Sequence, residues 1–340
     1  MKNVLFVSLG CDKNLVDSEK MLGLLNEAGY RVAQEESEAD AIVVNTCCFI
    51  HDAKEESVET ILEMAEYKKT GKCKALIVTG CMAQRYKQEI IDEIPEVDAI
   101  LGTTSYEAVG AAIREVMDGE TPEIFESIDA PVSTATERLI TTGGHYAFLK
   151  IAEGCDKRCT YCIIPYLRGK YRSVPMEQLV REAEDRAEKG VKELILVAQE
   201  TTLYGKDLYG EKKLPELLRR LAAVSGIQWI RLQYCYPEEI TDELSETIKT
   251  EEKVCNYLDI PIQHASDAVL KRMGRRTNNT EIRELIAKLR REIPDIALRT
   301  TLISGFPGET EEDHEILMQF VDDMEFDRLG VFAYSPEEDT

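Results

Sequence analysis

Residues 149–169 read LKIAEGCDKRCTYCIIPYLRG and hold three of the ten cysteines of this 340-residue chain, Cys155, Cys159 and Cys162. A short apolar run at Phe148–Ala152 predicts a strand directly before them. Three residues separate the first two cysteines and two separate the last two. One short loop can therefore present three thiolates to a single iron–sulfur cubane and leave its fourth iron without a protein ligand.

An iron without a protein ligand is the chemically useful feature of such a loop. It can chelate the amino and carboxylate groups of S-adenosylmethionine (SAM) and pass an electron into its sulfonium, which produces a 5′-deoxyadenosyl radical. A zinc knuckle is one alternative, but no fourth Cys or His follows at knuckle spacing. Three inert thiols are the other alternative. The spacing favours the cluster.

The second part of the chain predicts alternating strands and helices. Six runs have the length and composition of strands: Phe148–Ala152, Glu193–Ala198, Trp229–Gln233, Tyr257–Pro261, Ala297–Ile303 and Leu329–Ala333. Three of the intervening segments have helical periodicity: Pro175–Lys189, Leu214–Val224 and Glu281–Arg291. About six βα units predict an open, partial TIM-type barrel, and such folds place their chemistry at the carboxyl ends of the strands. The three-cysteine loop occupies one of these ends.

The first part of the chain has the same α/β character. Its predicted strands are Val4–Val7, Ala41–Asn45, Ala75–Thr79 and Ala99–Leu101, and its predicted helices are Leu15–Gly29, Ala53–Lys69 and Ala83–Glu93. This βαβ alternation predicts a parallel sheet covered by helices. Residues 121–144 have few periodic apolar positions and predict a linker. We therefore expect domains at 1–120 and 145–340.

Three cysteines of the first part, Cys11, Cys47 and Cys81, each follow a predicted strand. Because the carboxyl ends of parallel strands meet at one edge of a sheet, their thiols are expected to converge there and to hold a second cluster. Each also precedes a helix, whose N-terminus should lower the thiol pKa. The alternative is three buried core thiols. Cys48 is expected to point to the opposite face from Cys47, and three further cysteines are interpreted as structural: Cys73, Cys235 and Cys255.

The composition is that of a globular protein, with 44% hydrophobic and 31% charged residues. No apolar run is long enough to cross a bilayer and the N-terminus does not resemble a signal peptide, so a cytoplasmic location without membrane contact is expected. Thiols stay reduced there, which argues against disulfides. The formal net charge of −23 argues against direct nucleic-acid binding and favours a basic protein partner; the alternative is that it serves solubility alone.

Several motifs together resemble the radical SAM methylthiotransferase family, over essentially the whole chain. Residues 149–169 resemble the family's radical signature. Three segments resemble its N-terminal domain: SLGCDKNLVDSEKML at 8–22, VVNTCCFIHDAKEES at 43–57 and IVTGCMAQRY at 77–86. Two resemble its later barrel motifs: DIPIQHAS at 259–266 and GFPGETEED at 305–313. The opening segment and AKEES resemble most closely the branch that modifies an aspartate of a ribosomal protein.

The resemblance implies roles for individual residues. Cys155, Cys159 and Cys162 correspond to the ligands of the radical cluster, and Cys11, Cys47 and Cys81 to those of an auxiliary cluster. Further positions are implied to bind SAM: Gln199 and Glu200 at the methionine amino group, Gln263 and Gly305 along the cleft. Glu200 could instead be a helix-entry or surface carboxylate, Gly305 a turn glycine with positive φ, and His264 a structural histidine. No catalytic residue beyond the cluster ligands is assigned.

The resemblance also implies an activity, the addition of a methylthio group to the β-carbon of an aspartate in protein twelve of the small ribosomal subunit. Two [4Fe–4S] clusters, SAM and a flavodoxin- or ferredoxin-type reductant are implied, with sulfur methylated at the auxiliary cluster before the substrate radical attacks it. The alternatives are the same chemistry on a transfer-RNA adenosine and a non-enzymatic iron–sulfur protein. The small C-terminal TRAM domain usual in the family is not expected, because the chain stops at YSPEEDT.

Overall fold

The computed structural model of the chain describes residues 2–133 and 138–340. They form two compact units, one of Met1–Thr141 with Ile163–Lys170 and the other of Thr142–Cys162 with Tyr171–Thr340. The segment directly after Cys162 thus folds with the first unit. Residues 134–137 of the predicted linker lie outside the described residues. Among the helices described, none combines the length and the apolar character needed to cross a membrane.

The first unit is a parallel sheet covered by helices. Its strands are β1 (Asn3–Ser8), β2 (Arg31–Val32), β3 (Ala41–Thr46), β4 (Ala75–Gly80), β5 (Ala99–Leu101) and β6 (Glu123–Ile124). Its helices are α1 (Asp12–Glu27), α2 (His51–Thr70), α3 (Cys81–Tyr86), α4 (Gln88–Glu93), α5 (Val109–Met117) and α6 (Ile164–Arg168). The strand order is β2-β1-β3-β4-β5-β6, with every neighbouring pair parallel. The predicted parallel α/β sheet is confirmed.

Both faces of this sheet are buried, which explains the continuous apolar runs of its central strands. Alternate residues of β3 enter different cores, since successive side chains of a strand point to opposite faces. Ile42 and Val44 pack with residues of α2 and α3, whereas Ala41 and Val43 pack with residues of α1 and α5. The helices on both faces hold the central strands in place, so the ends of β1, β3 and β4 are fixed side by side.

Some short elements of the first unit differ from expectation. The helix predicted at Ala83–Glu93 is two helices, because Lys87 adopts a positive φ of 41° and interrupts the chain between α3 and α4. Strands β2 and β6 each span two residues, too few to produce a periodic signal, and β6 lies within the predicted linker. Helix α5 was also missed.

The second unit is an open, six-stranded parallel sheet with an added hairpin-like pair. Its strands are β7 (Tyr146–Lys150), β8 (Ala152–Glu153), β9 (Arg172–Ser173), β10 (Glu193–Val197), β11 (Trp229–Leu232), β12 (Val254–Asp259), β13 (Ala297–Ser304) and β14 (Arg328–Ala333). Its helices are α7 (Met176–Glu188), α8 (Lys206–Tyr209), α9 (Leu214–Ala222), α10 (Asp242–Thr250), α11 (Asp267–Arg272), α12 (Asn279–Glu292) and α13 (Glu311–Met324).

The strand order β14-β13-β12-β11-β10-β7 leaves β7 and β14 as the two edges of the sheet, and all its pairs are parallel. The expected partial barrel is therefore confirmed, as are all six predicted strands. Capping boxes begin two of its helices, with Asn278 and Glu281 at α12 and Thr310 and Asp313 at α13. Strands β8 and β9 pair antiparallel beside the main sheet. Strand β8 leads directly into the three-cysteine loop.

Candidate cluster and cofactor sites

The three-cysteine loop of the second unit folds tightly after β8. Gly154 and Arg158 adopt positive φ angles of 77° and 53°, which turn the chain sharply on either side of Cys155. The Cys162 N–H donates to the carbonyl of Cys159 at 3.0 Å. Cys155 and Cys159 are buried and Cys162 is half-buried. Desolvation raises the pKa of the Cys155 thiol to about 11, and the neighbouring Cys159 adds to the rise.

Two polar groups lie near the sulfur of Cys159. The hydroxyl of Tyr236 lies 3.5 Å from its Sγ, and Nη1 of Arg275 donates to it at 3.9 Å. The Arg275 Cζ lies over the Tyr236 ring, 4.3 Å from its centroid, and Nη2 of Arg275 donates to the Pro261 carbonyl at 2.9 Å. Sequence reasoning missed Tyr236 and Arg275, which lie 77 and 116 positions from Cys159.

Glu200 is fully buried beside a lysine of the loop. Its Oε2 lies 3.4 Å from Nζ of Lys157, which also pairs with Glu238 at 3.1 Å and with Glu239 at 2.5 Å. The hydroxyl of Thr202 donates to the other Glu200 oxygen. Desolvation raises the pKa of Glu200 to about 7, against the opposing charge of Lys157. Its burial excludes the surface-carboxylate interpretation.

Gln199 and Glu200 both retain hydrogen-bonding capacity. Gln199 Nε2 donates to Oε1 of Glu153 at 3.0 Å, but among the described residues its own Oε1 has no hydrogen-bond partner, and Glu200 Oε2 makes no hydrogen bond besides its 3.4 Å ion pair with Lys157. Buried polar atoms are normally paired, so unmatched ones indicate groups that a ligand can complete. These two oxygens can accept hydrogen bonds from the amino and hydroxyl groups of SAM. The donor set therefore fits the cofactor.

A cavity of about 310 Å³ adjoins this charged cluster. Lys157 and Glu239 line it together with Asp156, Tyr171 and Arg276. Its volume is at the lower end of the range for small-molecule sites. Charges of both signs line its wall, as a zwitterionic ligand requires.

The predicted cleft residues Gln263 and Gly305 follow β12 and β13. Gln263 has a positive φ of 73°; its N–H donates to the carbonyl of Thr301 at 2.9 Å and its carbonyl accepts from Ile303 at 2.8 Å. Gly305 has a φ of 80°, and a Cβ added there would meet no atom within 4 Å. The turn interpretation of Gly305 is confirmed, and its contact with SAM stays a prediction.

His264 is buried and joins these two loops. Its Nδ1 accepts from the Ser266 N–H at 3.0 Å, which places the ring proton of the neutral form on Nε2. That Nε2 lies 3.4 Å from Oε1 of Glu309, whose other oxygen accepts from the Gly305 and Phe306 N–H groups at 2.6 and 2.9 Å. Desolvation lowers the pKa of His264. These contacts favour the structural interpretation.

The first unit brings Cys11, Cys47 and Cys81 to one edge of its sheet. Cys11 precedes α1, Cys47 follows β3 and Cys81 begins α3 directly after β4. Cys11 and Cys47 both add to the pKa of Cys81 through charge repulsion, so the three thiols lie within electrostatic range of one another. Chain packing here is close, since a Cβ at Gly10 would lie 2.9 Å from the Cys47 sulfur.

Arg168 of α6 reaches into this trio and was not singled out from the sequence. Its Nη1 pairs with Oδ2 of Asp17 at 2.7 Å. Its Nη2 donates to Oδ1 of Asn14 and lies 3.6 Å from Sγ of Cys81. The only sequence signal was its place in the LRG that ends residues 149–169, which resemble the radical signature.

The expected lowering of thiol pKa by helix N-termini is wrong for Cys47 and Cys81. Desolvation raises the pKa of both, to about 11 for Cys81, and the charge of Arg168 only partly opposes it. Helix α2 begins at His51, so its N-terminus is not at Cys47. Burial therefore outweighs the helix dipole. Metal coordination deprotonates a thiol irrespective of such a shift.

The donor chemistry of both trios, three thiols each, fits an iron–sulfur cluster, because a cubane holds each cysteine on a different iron. Across residues 2–133 and 138–340, no group of three His, Cys, Asp or Glu side chains is placed to hold one metal ion.

Comparisons with known proteins agree with this geometry. Residues 3–102 match the profile described as "Uncharacterized protein family UPF0004", and residues 149–321 match the radical SAM superfamily. A protein of Lachnoclostridium phytofermentans named ribosomal protein uS12 methylthiotransferase RimO is 70% identical over 99% of this chain and 77% of its own length. A protein of the same name from Acetivibrio thermocellus is 56% identical, over 100% of this chain and 76% of its own.

A solved structure has a similar fold. The radical SAM methyltransferase TsrM of Kitasatospora setae, with cobalamin and a [4Fe–4S] cluster bound, superposes with a TM-score of 0.70 at 14% identity, over 98% of this chain and 76% of TsrM. Fold and site thus define a radical SAM enzyme, which uses SAM and a [4Fe–4S] cluster. The chain belongs to the RimO family, the ribosomal protein uS12 methylthiotransferases.

Proposed function

We propose that this enzyme transfers a methylthio group to the β-carbon of an aspartate in ribosomal protein uS12. The observation that carries the proposal is the pair of cysteine trios, each at the carboxyl end of strands in its own unit. A single trio would suffice for radical generation, whereas methylthio transfer also needs a place to hold sulfur. The name shared by its relatives supports uS12 as the substrate.

The proposed division of labour follows the two domains expected from the sequence. Cys155, Cys159 and Cys162 would hold the radical cluster, and Cys11, Cys47 and Cys81 a second [4Fe–4S] cluster. When bound, SAM at the radical cluster supplies one-electron chemistry strong enough to activate a C–H bond. The protein's own part is to bind and orient the cofactor.

The side chains around Glu200 suggest how that binding works. Its carboxylate, whose buried Oε2 makes no hydrogen bond besides its ion pair with Lys157, would accept hydrogen bonds from the methionine ammonium of SAM, and Gln199 would assist with its Oε1. Lys157 supplies the opposite charge within the same group of charged side chains. Burial of these groups excludes water, which strengthens each charge interaction. Gln263 and Gly305 would line the cofactor cleft.

The proposed partners follow from the same reaction. The acidic chain, with a net charge of −23, is suited to a basic ribosomal protein and not to direct contact with nucleic acid. The reaction consumes electrons at low potential, so a flavodoxin- or ferredoxin-type protein would deliver them. Because ribosomal proteins are made and assembled in the cytoplasm, the enzyme would act there.

Mass spectrometry of uS12 tests the substrate. After anaerobic incubation with reconstituted enzyme, SAM, a sulfide source and a reductant, one uS12 aspartate should gain a methylthio group. In a strain that lacks the gene, uS12 should lose this group while transfer RNA keeps its own modifications. A methylthio group missing from transfer RNA instead would contradict the proposal and support the alternative substrate.

Iron analysis tests the two clusters. Reconstituted protein should hold about eight irons if both trios carry cubanes. Replacing Cys11, Cys47 and Cys81 by Ala should halve this content and leave the cleavage of SAM to 5′-deoxyadenosine intact. The matched control replaces three cysteines outside the trios, Cys73, Cys235 and Cys255, and should change neither quantity. Loss of all SAM cleavage in the first variant would contradict the division of labour.

A further inference from the structure

Each cysteine trio has one buried arginine beside one of its sulfurs. Arg168 Nη2 lies 3.6 Å from Sγ of Cys81 in the first unit, and Arg275 Nη1 lies 3.9 Å from Sγ of Cys159 in the second. The two arginines are 2% and 8% exposed. Burial of a guanidinium costs desolvation free energy unless nearby groups compensate its charge. In the proposed function, a negatively charged cluster beside each arginine provides such compensation.

The position of Arg168 is fixed by its other contacts. Asp17 pairs with Nη1 at 2.7 Å, and Asn14 accepts from Nη2. Asn14 is itself held, since its Nδ2 donates to the carbonyls of Leu9 at 3.1 Å and Thr46 at 3.0 Å. The guanidinium therefore stays aimed at Cys81. Asp17 offsets part of the charge and accepts from Nη1, while Nη2 still reaches the Cys81 sulfur.

The position of Arg275 is fixed in a different way. Its Cζ lies over the Tyr236 ring, 4.3 Å from the centroid, and its Nη2 donates to the Pro261 carbonyl at 2.9 Å. The Tyr236 hydroxyl lies 3.5 Å from the same Cys159 sulfur, and it would donate to that sulfur when the thiol is deprotonated in a cluster. An aromatic ring contacts the guanidinium without cancelling its charge.

A cation with N–H donors next to a cluster sulfur changes the reduction of that cluster. Reduction adds negative charge, which a nearby guanidinium stabilises, and hydrogen bonds to ligand sulfurs raise the reduction potential of iron–sulfur clusters. Arginine suits this role because it stays charged at every physiological pH. The effect falls off with distance and is strongest in a buried site.

We propose that Arg168 and Arg275 are positioning residues that set the reduction potentials of the two clusters separately, Arg168 at Cys81 and Arg275 at Cys159. The inference rests on the proposed two-cluster function. It adds that each potential is adjusted within its own unit, so that one cluster can be tuned without the other.

Single-cluster variants allow a crossed test. One background carries Ala at Cys155, Cys159 and Cys162, and the other carries Ala at Cys11, Cys47 and Cys81; each is reconstituted and titrated with dithionite under EPR detection. Arg168→Gln should lower the potential in the first background by about tenfold in the reduction equilibrium, ~59 mV for one electron, and leave the second unchanged. Arg275→Gln should do the reverse. Each variant is thus the other's control.

Further variants keep the test decisive where a substitution disturbs folding. Arg168→Lys retains the charge and should recover part of the shift. Asp17→Asn with Arg168→Gln removes the buried pair together and should still lower the potential. For the second unit, Arg275→Lys serves the same purpose. Circular dichroism checks that each variant is folded.

The outcomes separate the inference from the proposed function. If the background that carries Ala at Cys155, Cys159 and Cys162 binds no iron, the two-cluster function is refuted, and with it the role of Arg168. Bound clusters whose potentials do not move, or that move together on either substitution, would overturn the inference alone. Crossed shifts, each confined to one background, would support it.

Discussion

At the scale of single residues, Glu200 shows how burial prepares a side chain to bind a ligand. It has no exposed surface, its Oε2 makes no hydrogen bond besides a 3.4 Å ion pair with Lys157, and desolvation raises its pKa to about 7. An ammonium group brought to that oxygen would restore the lost solvation and keep the carboxylate charged. Lys157 alone does not do so, because it is shared with Glu238 and Glu239.

Glu200→Gln should weaken SAM binding while the iron content stays unchanged. A hydrogen bond to a charged group is worth about 1.5–3 kcal/mol, so the Kd for SAM should rise about 10- to 100-fold. Anaerobic calorimetry on the reconstituted enzyme measures it. Glu216→Gln, at a half-exposed position of α9, is the matched control. An unchanged Kd in Glu200→Gln would remove this residue from the SAM site.

At the scale of secondary structure elements, the joint between β4 and α3 delivers Cys81 to its site. Gly80 forms this joint with a φ of 91°, and a Cβ there would lie 2.5 Å from the Thr46 carbonyl oxygen of β3. Only glycine allows both the left-handed backbone and the close approach. The position of Cys81 therefore depends on the residue before it.

Gly80→Ala should destabilise the first unit more than an ordinary glycine substitution does. The positive φ costs about 1–2 kcal/mol for any L residue, and overpacking adds about 1–3 kcal/mol. Gly119→Ala is the matched control, since its φ is 93° but a Cβ there meets nothing within 4 Å. Urea unfolding should show the difference, with iron lost from Gly80→Ala alone. Equal unfolding free energies would contradict the packing argument.

His264, which contacts Glu309 and so joins the loops after β12 and β13, should make the stability of the fold depend on pH. Desolvation lowers the pKa of His264 from its ordinary 6.5, so the unfolded chain takes up this proton before the folded chain does. The contribution of neutral His264 to the free energy of unfolding is therefore fully present above pH 6.5. It is lost as the pH falls toward the lowered pKa. The melting temperature should decrease below pH 6.5, and His264→Gln should weaken that decrease. His51→Gln, an exposed histidine of α2, should retain it.

The elements that could be predicted from sequence are those with a repeating pattern. All six main strands of the second unit follow from apolar, β-branched runs. The cysteine trio of the second unit was predicted from its spacing, and the trio of the first unit from strand ends. Arg168 and Arg275 could not be predicted, because they meet Cys81 and Cys159 across 87 and 116 positions. Such pairings depend on tertiary packing, and no local periodicity reports them.

At the scale of the whole molecule, the net charge of −23 should affect how fast a basic partner arrives. Charge attraction raises association rates and is screened by salt, with a Debye length of about 8 Å at physiological ionic strength. The value of kcat/KM for uS12 should therefore fall several-fold between low and high salt. SAM cleavage without uS12 is the control and should stay constant. Salt-independent kinetics would mean that the acidity serves solubility alone.

The residues between Ile163 and Lys170 return to the first unit after the three-cysteine loop has been made. Ile163 and Leu167 are buried in its core, and Arg168 pairs with Asp17. During translation, the first unit therefore cannot complete its folding until residues 163–170 have been synthesised, which is about half of the polypeptide. A fragment cut at residue 141 would lack the core side chains of Ile163 and Leu167 and the arginine that pairs with Asp17, so one cut does not separate two complete folding units.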